Sequence, residues 1–196
     1  MVSGGSVKPH VRVLGIDDGP FSFGDARAPL VGAVVRLPNY VEGLMVRSVG
    51  VDGTDANDRI VEMLASSRYR DGLKLAMLDG AALGGFNVVD IGELAERTGV
   101  PFATVTRDPP DMAKIEKALK ANFDDWKERL AVLKRHKLRE LDTGHKPLFA
   151  ACAGIDFAEA SEIIRASVVR GALPEPLRIA HLIAAAFAKG ESRGRA

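Results

Sequence analysis

The chain has 196 residues, 27 Lys+Arg against 26 Asp+Glu, 46% hydrophobic and 6% aromatic side chains, and one cysteine. That length can bury a sizeable core, and a lone Cys152 excludes both an internal disulfide framework and a multi-cysteine zinc site. A formal charge of +1 excludes a uniformly basic coat; with no run near the roughly 18–20 apolar residues of a membrane span and no apolar signal core in Met1–Lys8, a soluble cytoplasmic protein is expected.

Val11–Ile16 is a β-branched run ending in Asp17-Asp18-Gly19-Pro20, so the first predicted strand delivers two carboxylates into a turn. Residues 20–28 read as a loop, Leu30–Leu37 as a second strand, residues 38–43 as a connection and Leu44–Val51 as a third strand. Three strands with short links favour an antiparallel meander. The period then changes: Ile60, Val61, Met63 and Leu64 share one helical face from Asp55 onward. Leu73–Leu78 is a buried strand before Asp79-Gly80, residues 90–98 a helix stopped by Gly99 and Pro101, and Phe102–Thr106 another strand. This alternation predicts parallel additions to the antiparallel set.

Pro109-Pro110-Asp111 starts a helix carrying Met112, Ile115 and Leu119, with the prolines in its first turn where no amide is needed. A further helix presents Trp126, Leu130 and Leu133 on one face. Residues 145–153 predict a short strand, and 156–169 and 177–189 two closing helices, the last introduced by Pro174-Glu175-Pro176. No repeat or internal boundary interrupts the pattern. One domain over residues 10–189 is expected, with 1–9 and 190–196 as loose ends.

The acidic residues of interest follow strands: Asp17 and Asp18 the first, Asp52 and Asp55 the third, Asp79 the fourth. Parallel neighbours end at the same sheet edge, where such carboxylates can converge, and clustered carboxylates call for a hard divalent cation, magnesium or manganese. Each Asp taken singly is also ordinary turn or capping chemistry. Three antiparallel strands followed by helix, strand, helix and strand form the topology of the ribonuclease H-like fold, an α/β mixed sheet with flanking helices.

Within that pattern Gly15-Ile16-Asp17 resembles the first-strand Gly-Val-Asp of endonuclease V, and Leu78-Asp79-Gly80 its second acidic strand end. Leu173-Pro174-Glu175-Pro176-Leu177-Arg178-Ile179-Ala180-His181 is similar to the Leu-Pro-Glu-Pro-Thr-Arg-x-Ala-His/Asp element near the end of that family. Val51–Ala56 and Leu83–Asp90 look like segments of its small archaeal subgroup, the endonuclease-V-like proteins of the deoxyuridine endonuclease type. The resemblance spans residues 11–188. It implies a magnesium-dependent endodeoxyribonuclease that nicks DNA beside a deaminated base, deoxyuridine, with the inosine specificity of endonuclease V not carried over. Asp17 and Asp79 would hold the metal, His181 would complete the site, and Arg107 would stand near the family's phosphate-directed lysine. The family's intervening glutamate has no clear equal, Asp55 or Asp52 being in its region. The Pro-Tyr-Ile-Pro-like wedge of endonuclease V is missing from Val49–Gly53, so base eversion would fall to another loop.

On the same reading Gly85 and Asn87, in the loop after Asp79, contact nucleic acid. Lys127, Arg129, Lys134, Arg135 and Lys137, with His136 among them, form either a solvated helix face or a phosphate-tracking surface. His181 lies among apolar Ile179, Ala180 and Ile183, where a packing histidine is equally at home. His145 reads as a loop residue and Cys152 as a buried thiol. No phosphate-binding G-x-x-x-x-G-K-[ST] occurs, so no nucleotide cofactor is expected. The rival to the nuclease is a non-catalytic nucleic-acid-binding relative, and a third reading is a hydrolase of small phosphate compounds with an enclosed pocket.

Overall fold

The computed structural model describes residues 10–22, 24–144 and 146–193. The expectations for residues 1–9 and His145 lie outside them. Strand β1 (Arg12–Asp18) pairs antiparallel with β2 (Arg27–Arg36), which pairs antiparallel with β3 (Tyr40–Gly50). On its other side β1 runs parallel to β4 (Leu73–Asp79), and β4 parallel to β7 (Phe102–Thr106). Beyond β7 come β9 (Leu148–Ala153) and β8 (Arg139–Leu141), both added antiparallel, in the order β3-β2-β1-β4-β7-β9-β8. A separate hairpin, β5 (Ala82–Leu83) with β6 (Asn87–Val88), follows β4.

The expected meander and parallel additions are present, with three corrections. β3 begins at Tyr40 rather than Leu44, because the link after β2 is a turn over residues 37–39 and residues 40–43 already pair with β2. The prolines at 109 and 110 lie outside helix α3 (Met112–Asn122). Asp111 caps it, its carboxylate accepting from Ala113 N and Lys114 N at 3.1 Å each. β8 and the β5–β6 hairpin went unforeseen because three- and two-residue strands carry no readable alternation.

Side-chain alternation along the strands divides the core between two faces. Leu14, Ile16, Leu78 and Phe102 pack against Ile60, Met63 and Leu64 of α1 (Ala56–Ala65) and Ile91 and Leu94 of α2 (Ile91–Thr98). Val13, Leu75, Met77 and Val105 meet Ile163 and Ile164 of α5 (Phe157–Ala166) and Leu177 of α6 (Glu175–Lys189). Burying each such side chain contributes about 1.5–3 kcal/mol relative to leaving it exposed. Helix α4 (Trp126–Arg135) packs against α3. On the second face α6 crosses β1 and β2 at very close range, because a Cβ at Gly15 would fall on the Pro176 carbonyl and 2.5 Å from Leu177 N. The resemblance in Gly15 and in Pro174-Glu175-Pro176 thus corresponds to one contact.

Candidate functional site

The close seam between β1 and α6 sets the position of His181, two turns into the helix. Its Nδ1 lies 2.8 Å from Asp17 Oδ2, and Asp17 is 5% exposed. Asp17 and Asp79 each stand one residue beyond the Ile16–Leu78 pair of the parallel β1–β4 ladder, on strands about 4.8 Å apart. Burial first, and then the charge of Asp17, push the Asp79 carboxyl up to about 6, against the lowering influence of Arg107 and His181. Burial and Asp17 likewise push Asp18 up to about 6, although the Gly84 amide favours its ionised form. The hydrogen bond to Asp17, then the charges of Asp17 and Asp79, raise His181 above its ordinary value despite partial burial and Arg107.

The structure therefore brings Asp17, Asp79, His181 and Arg107 together and sets beside them Asp18, the second acid at the end of the first strand. The cleft over Asp79 is also lined by Thr106, Arg107, Asp108 and Lys146, so two cations border it. Lys146 had no sequence signal beyond its loop.

Asp55 has another task. Its Oδ1 accepts from Gly50 N at 2.9 Å and Asn87 Nδ2 at 2.8 Å, and its Oδ2 faces Arg59 at 3.1 Å and Arg27 at 3.3 Å. Burial acts to raise its carboxyl, but the Gly50 amide, Arg59, Asn87 and Arg27 together bring it down to about 2. Its acceptor capacity thus ties the end of β3 to α1, β2 and β6. Asp52, with a positive φ of 54°, accepts Phe86 N at 2.8 Å and so shapes the tip of the β5–β6 hairpin. At that tip Gly85 has φ 88° and a Cβ there would strike the Asp52 carboxylate, so its glycine is required by the turn.

Two expected nucleic-acid contacts are instead interior. Asn87 is fully buried, bonding Gly50 O, Asp55 and Ala56 N. Arg129 is 8% exposed; it donates to Gly53 O at 2.9 Å and Phe86 O at 2.7 Å, pairs with Asp125 at 2.8 Å and lies 4.3 Å over the Phe123 ring. Lys127 lies 5.6 Å over Trp126, Lys134 faces Glu116 at 3.5 Å, Arg135 is ion-paired to Asp90, and Lys137 is exposed. The 127–139 stretch contributes no residue to the cleft over Asp79.

Beside that cleft, and sharing Thr106 with it, opens an apolar cavity of about 180 Å³. Phe86, Ile91, Met112, Ile115 and Leu133 supply its walls, Gly80 its rim next to Asp79, and Thr104, Thr106 and His136 its polar side chains.

Among the described residues no three His, Cys, Asp or Glu side chains are arranged to enclose an ion by themselves. The donor chemistry nevertheless fits magnesium, which takes one or two carboxylates, keeps several waters and accepts phosphate oxygens. The charge of Asp17 raises the proton affinity of both Asp18 and Asp79, and a cation among them would offset that repulsion. Among the described residues no helix is long and apolar enough to cross a membrane.

The sequence profile of the family described as endonuclease dU matches residues 9–188. A UPF0215 protein of Methanothermobacter thermautotrophicus is 46% identical over 191 residues, covering 97% of this chain and 94% of the relative. A solved Archaeoglobus fulgidus structure, of a protein described as being of unknown function, has a TM-score of 0.80 at 35% identity over 90% of this chain and 97% of that one. Endonuclease V of Ciona intestinalis, in complex with a 24mer DNA containing an inosine followed by a ribo-adenosine, has a TM-score of 0.59 at 12% identity, over 89% and 84% of the two chains. That last likeness is one of fold, and with the strand order it makes the mixed sheet ribonuclease H-like.

Proposed function

Because the chain belongs to the endonuclease dU family, we propose that it is a divalent-metal-dependent nuclease of the endonuclease V type that nicks DNA beside a deaminated base, deoxyuridine first. The observation that carries the reading is the junction of two cavities: a polar cleft with Asp79, Arg107 and Lys146, and an apolar one large enough for a flat base, meeting at Thr106. A nuclease that recognises a damaged base needs both, since the base leaves the stack for a snug pocket while its phosphate stays at the catalytic groups. A pocket for a free phosphate compound would require neither the second cavity nor its apolar walls.

Asp17 and Asp79 would hold the metal, with Asp18 next to them. Magnesium bound there supplies a more nucleophilic water and neutralises charge on the phosphate oxygens. Arg107 and Lys146 orient the phosphodiester. Water oxygen bonds to phosphorus and releases a proton to solvent as the P–O3′ bond breaks, and the departing 3′-oxygen takes a proton. His181, fixed through Nδ1 by Asp17 and held toward its charged form by that bond, is the group suited to deliver the proton. The DNA-bound relative from Ciona intestinalis supports DNA as the partner.

Labelled strands carrying uracil, hypoxanthine or no lesion, incubated with magnesium or manganese, test the proposal. Nicking at uracil that disappears in Asp17→Ala supports it; no nicking of any strand with either metal overturns it. The commitment of Asp55 to β3 favours, as second reading, a relative that binds nucleic acid without cutting it. Salt-sensitive binding without cleavage in either metal would identify that protein.

A further inference from the structure

His136, immediately after α4, is a polar side chain in the apolar cavity, and its ring is held from outside. Asp90 caps α2 with Oδ1, accepting Gly92 N at 3.0 Å and Glu93 N at 3.3 Å; the same oxygen lies 3.3 Å from His136 Nε2, and Oδ2 pairs with Arg135. Asp90 is 5% exposed. Burial opposes its ionisation, but His136, the Glu93 amide, Arg135 and the Gly92 amide hold its carboxyl below the ordinary value. An ionised carboxylate only accepts hydrogen bonds, so the ring proton belongs on Nε2 and a neutral His136 is left with an acceptor at Nδ1. Among the described residues Nδ1 has no hydrogen-bond partner. The Thr104 hydroxyl rotates to donate or accept and so cannot by itself tell a donor from an acceptor, and the Thr106 hydroxyl spends its proton on Asp108 O at 3.0 Å.

We propose that His136 determines base specificity in this cavity, its Nδ1 accepting a hydrogen bond from the ring N–H that deamination creates. Uracil carries N3–H where cytosine carries an N3 lone pair, and hypoxanthine carries N1–H where adenine carries a lone pair. A fixed acceptor therefore pairs with the product of deamination and meets the parent base lone pair to lone pair. Asp90 is the positioning residue that sets the tautomer. This inference rests on the reading that the cavity receives an everted base, and goes further in naming the atom that reads it.

The test compares nicking rates on strands that differ only in uracil or cytosine at one position. His136→Leu is expected to lower the uracil-to-cytosine ratio by about tenfold or more, the cost of leaving one buried group unpaired. His136→Gln, whose amide oxygen can accept, is expected to restore most of the ratio. A Leu variant whose ratio stays within about twofold of the wild type would overturn the assignment. Wild-type protein on a strand with N3-methyluracil, which has no donor, gives a second reading that requires no variant to fold: nicking reduced about tenfold or more supports the assignment, and nicking equal to uracil overturns it. If the wild type nicks neither strand, the nuclease reading fails, and the ratio of dissociation constants for uracil- and cytosine-containing single strands without metal decides this one. A preference for uracil that His136→Leu removes supports it; equal affinity, or a preference the variant keeps, overturns it.

Discussion

Replacing Asp79 with Asn should stabilise the metal-free protein at pH 8 while abolishing nicking. The carboxyl is largely buried, lies beside Asp17 and is raised from 3.8 to about 6. A group whose folded value exceeds its unfolded value contributes stability below the unfolded value and loses it as pH rises through the folded one. Asp79 thus favours folding in its neutral form below about pH 4 and disfavours it once ionised above about pH 6. A rise of about two units at 1.36 kcal/mol each sets the penalty at pH 8 near 3 kcal/mol, shared in part with Asp17 and Asp18. An uncharged, nearly isosteric amide removes that penalty, and for a chain of this size about 2–3 kcal/mol corresponds to roughly 4–12 °C in Tm. Thermal unfolding in EDTA at pH 8, 5 and 4 measures it. The gain should be about halved at pH 5 and nearly absent at pH 4. A variant less stable than wild type at pH 8, or a gain independent of pH, would refute the account of a carboxylate held in the site at the expense of the fold.

Gly15→Ala places a methyl against the Pro176 carbonyl and 2.5 Å from Leu177 N, so α6 must retreat by about 1 Å; a loss of about 2–3 kcal/mol in urea unfolding and a large drop in nicking should follow together. His181→Gln should destabilise the protein near pH 6, where His181 is charged beside Asp17, and converge on wild type as pH rises through the raised histidine value; parallel stability–pH curves would argue against the pair. Arg129→Met leaves the carbonyls of Gly53 and Phe86 without their donor and should cost about 2–4 kcal/mol while leaving the salt dependence of DNA binding unchanged. Lys146→Ala should do the reverse, preserving stability and lowering the slope of log affinity against log salt by about 1, measured by salt titration of strand binding.

Much of the scaffold was legible because its signals are local. The β-branched run into Asp17, the period change after Asp55 and Gly99 as a helix stop are short-range patterns, and the structure keeps them. The juxtaposition of Asp17 and Asp79 was legible for the same reason, each acid lying at the end of a readable strand. What stayed hidden depends on tertiary contact. Arg129 reads as one more cation on a polar helix until the Gly53 and Phe86 carbonyls are seen to converge on it from two other segments. Asp55 reads as a free strand-end acid until Asn87, 32 residues on, donates to it. Lys146 and His136 carry no spacing signal, since their positions relative to Asp79 or the cavity are set by segments outside helices and strands whose course the sequence does not encode locally.

The Asp17–His181 contact joins residues 164 positions apart, β1 to α6. A growing polypeptide therefore has its first acidic strand long before it has the histidine and the Pro176 seam that complete the candidate site. Until α6 docks, Gly15 lacks the Pro176 seam and Asp17 Oδ2 lacks its histidine. The Asp17–His181 junction is in this sense one of the last things assembled, and a chain cut short before α6 would lack it.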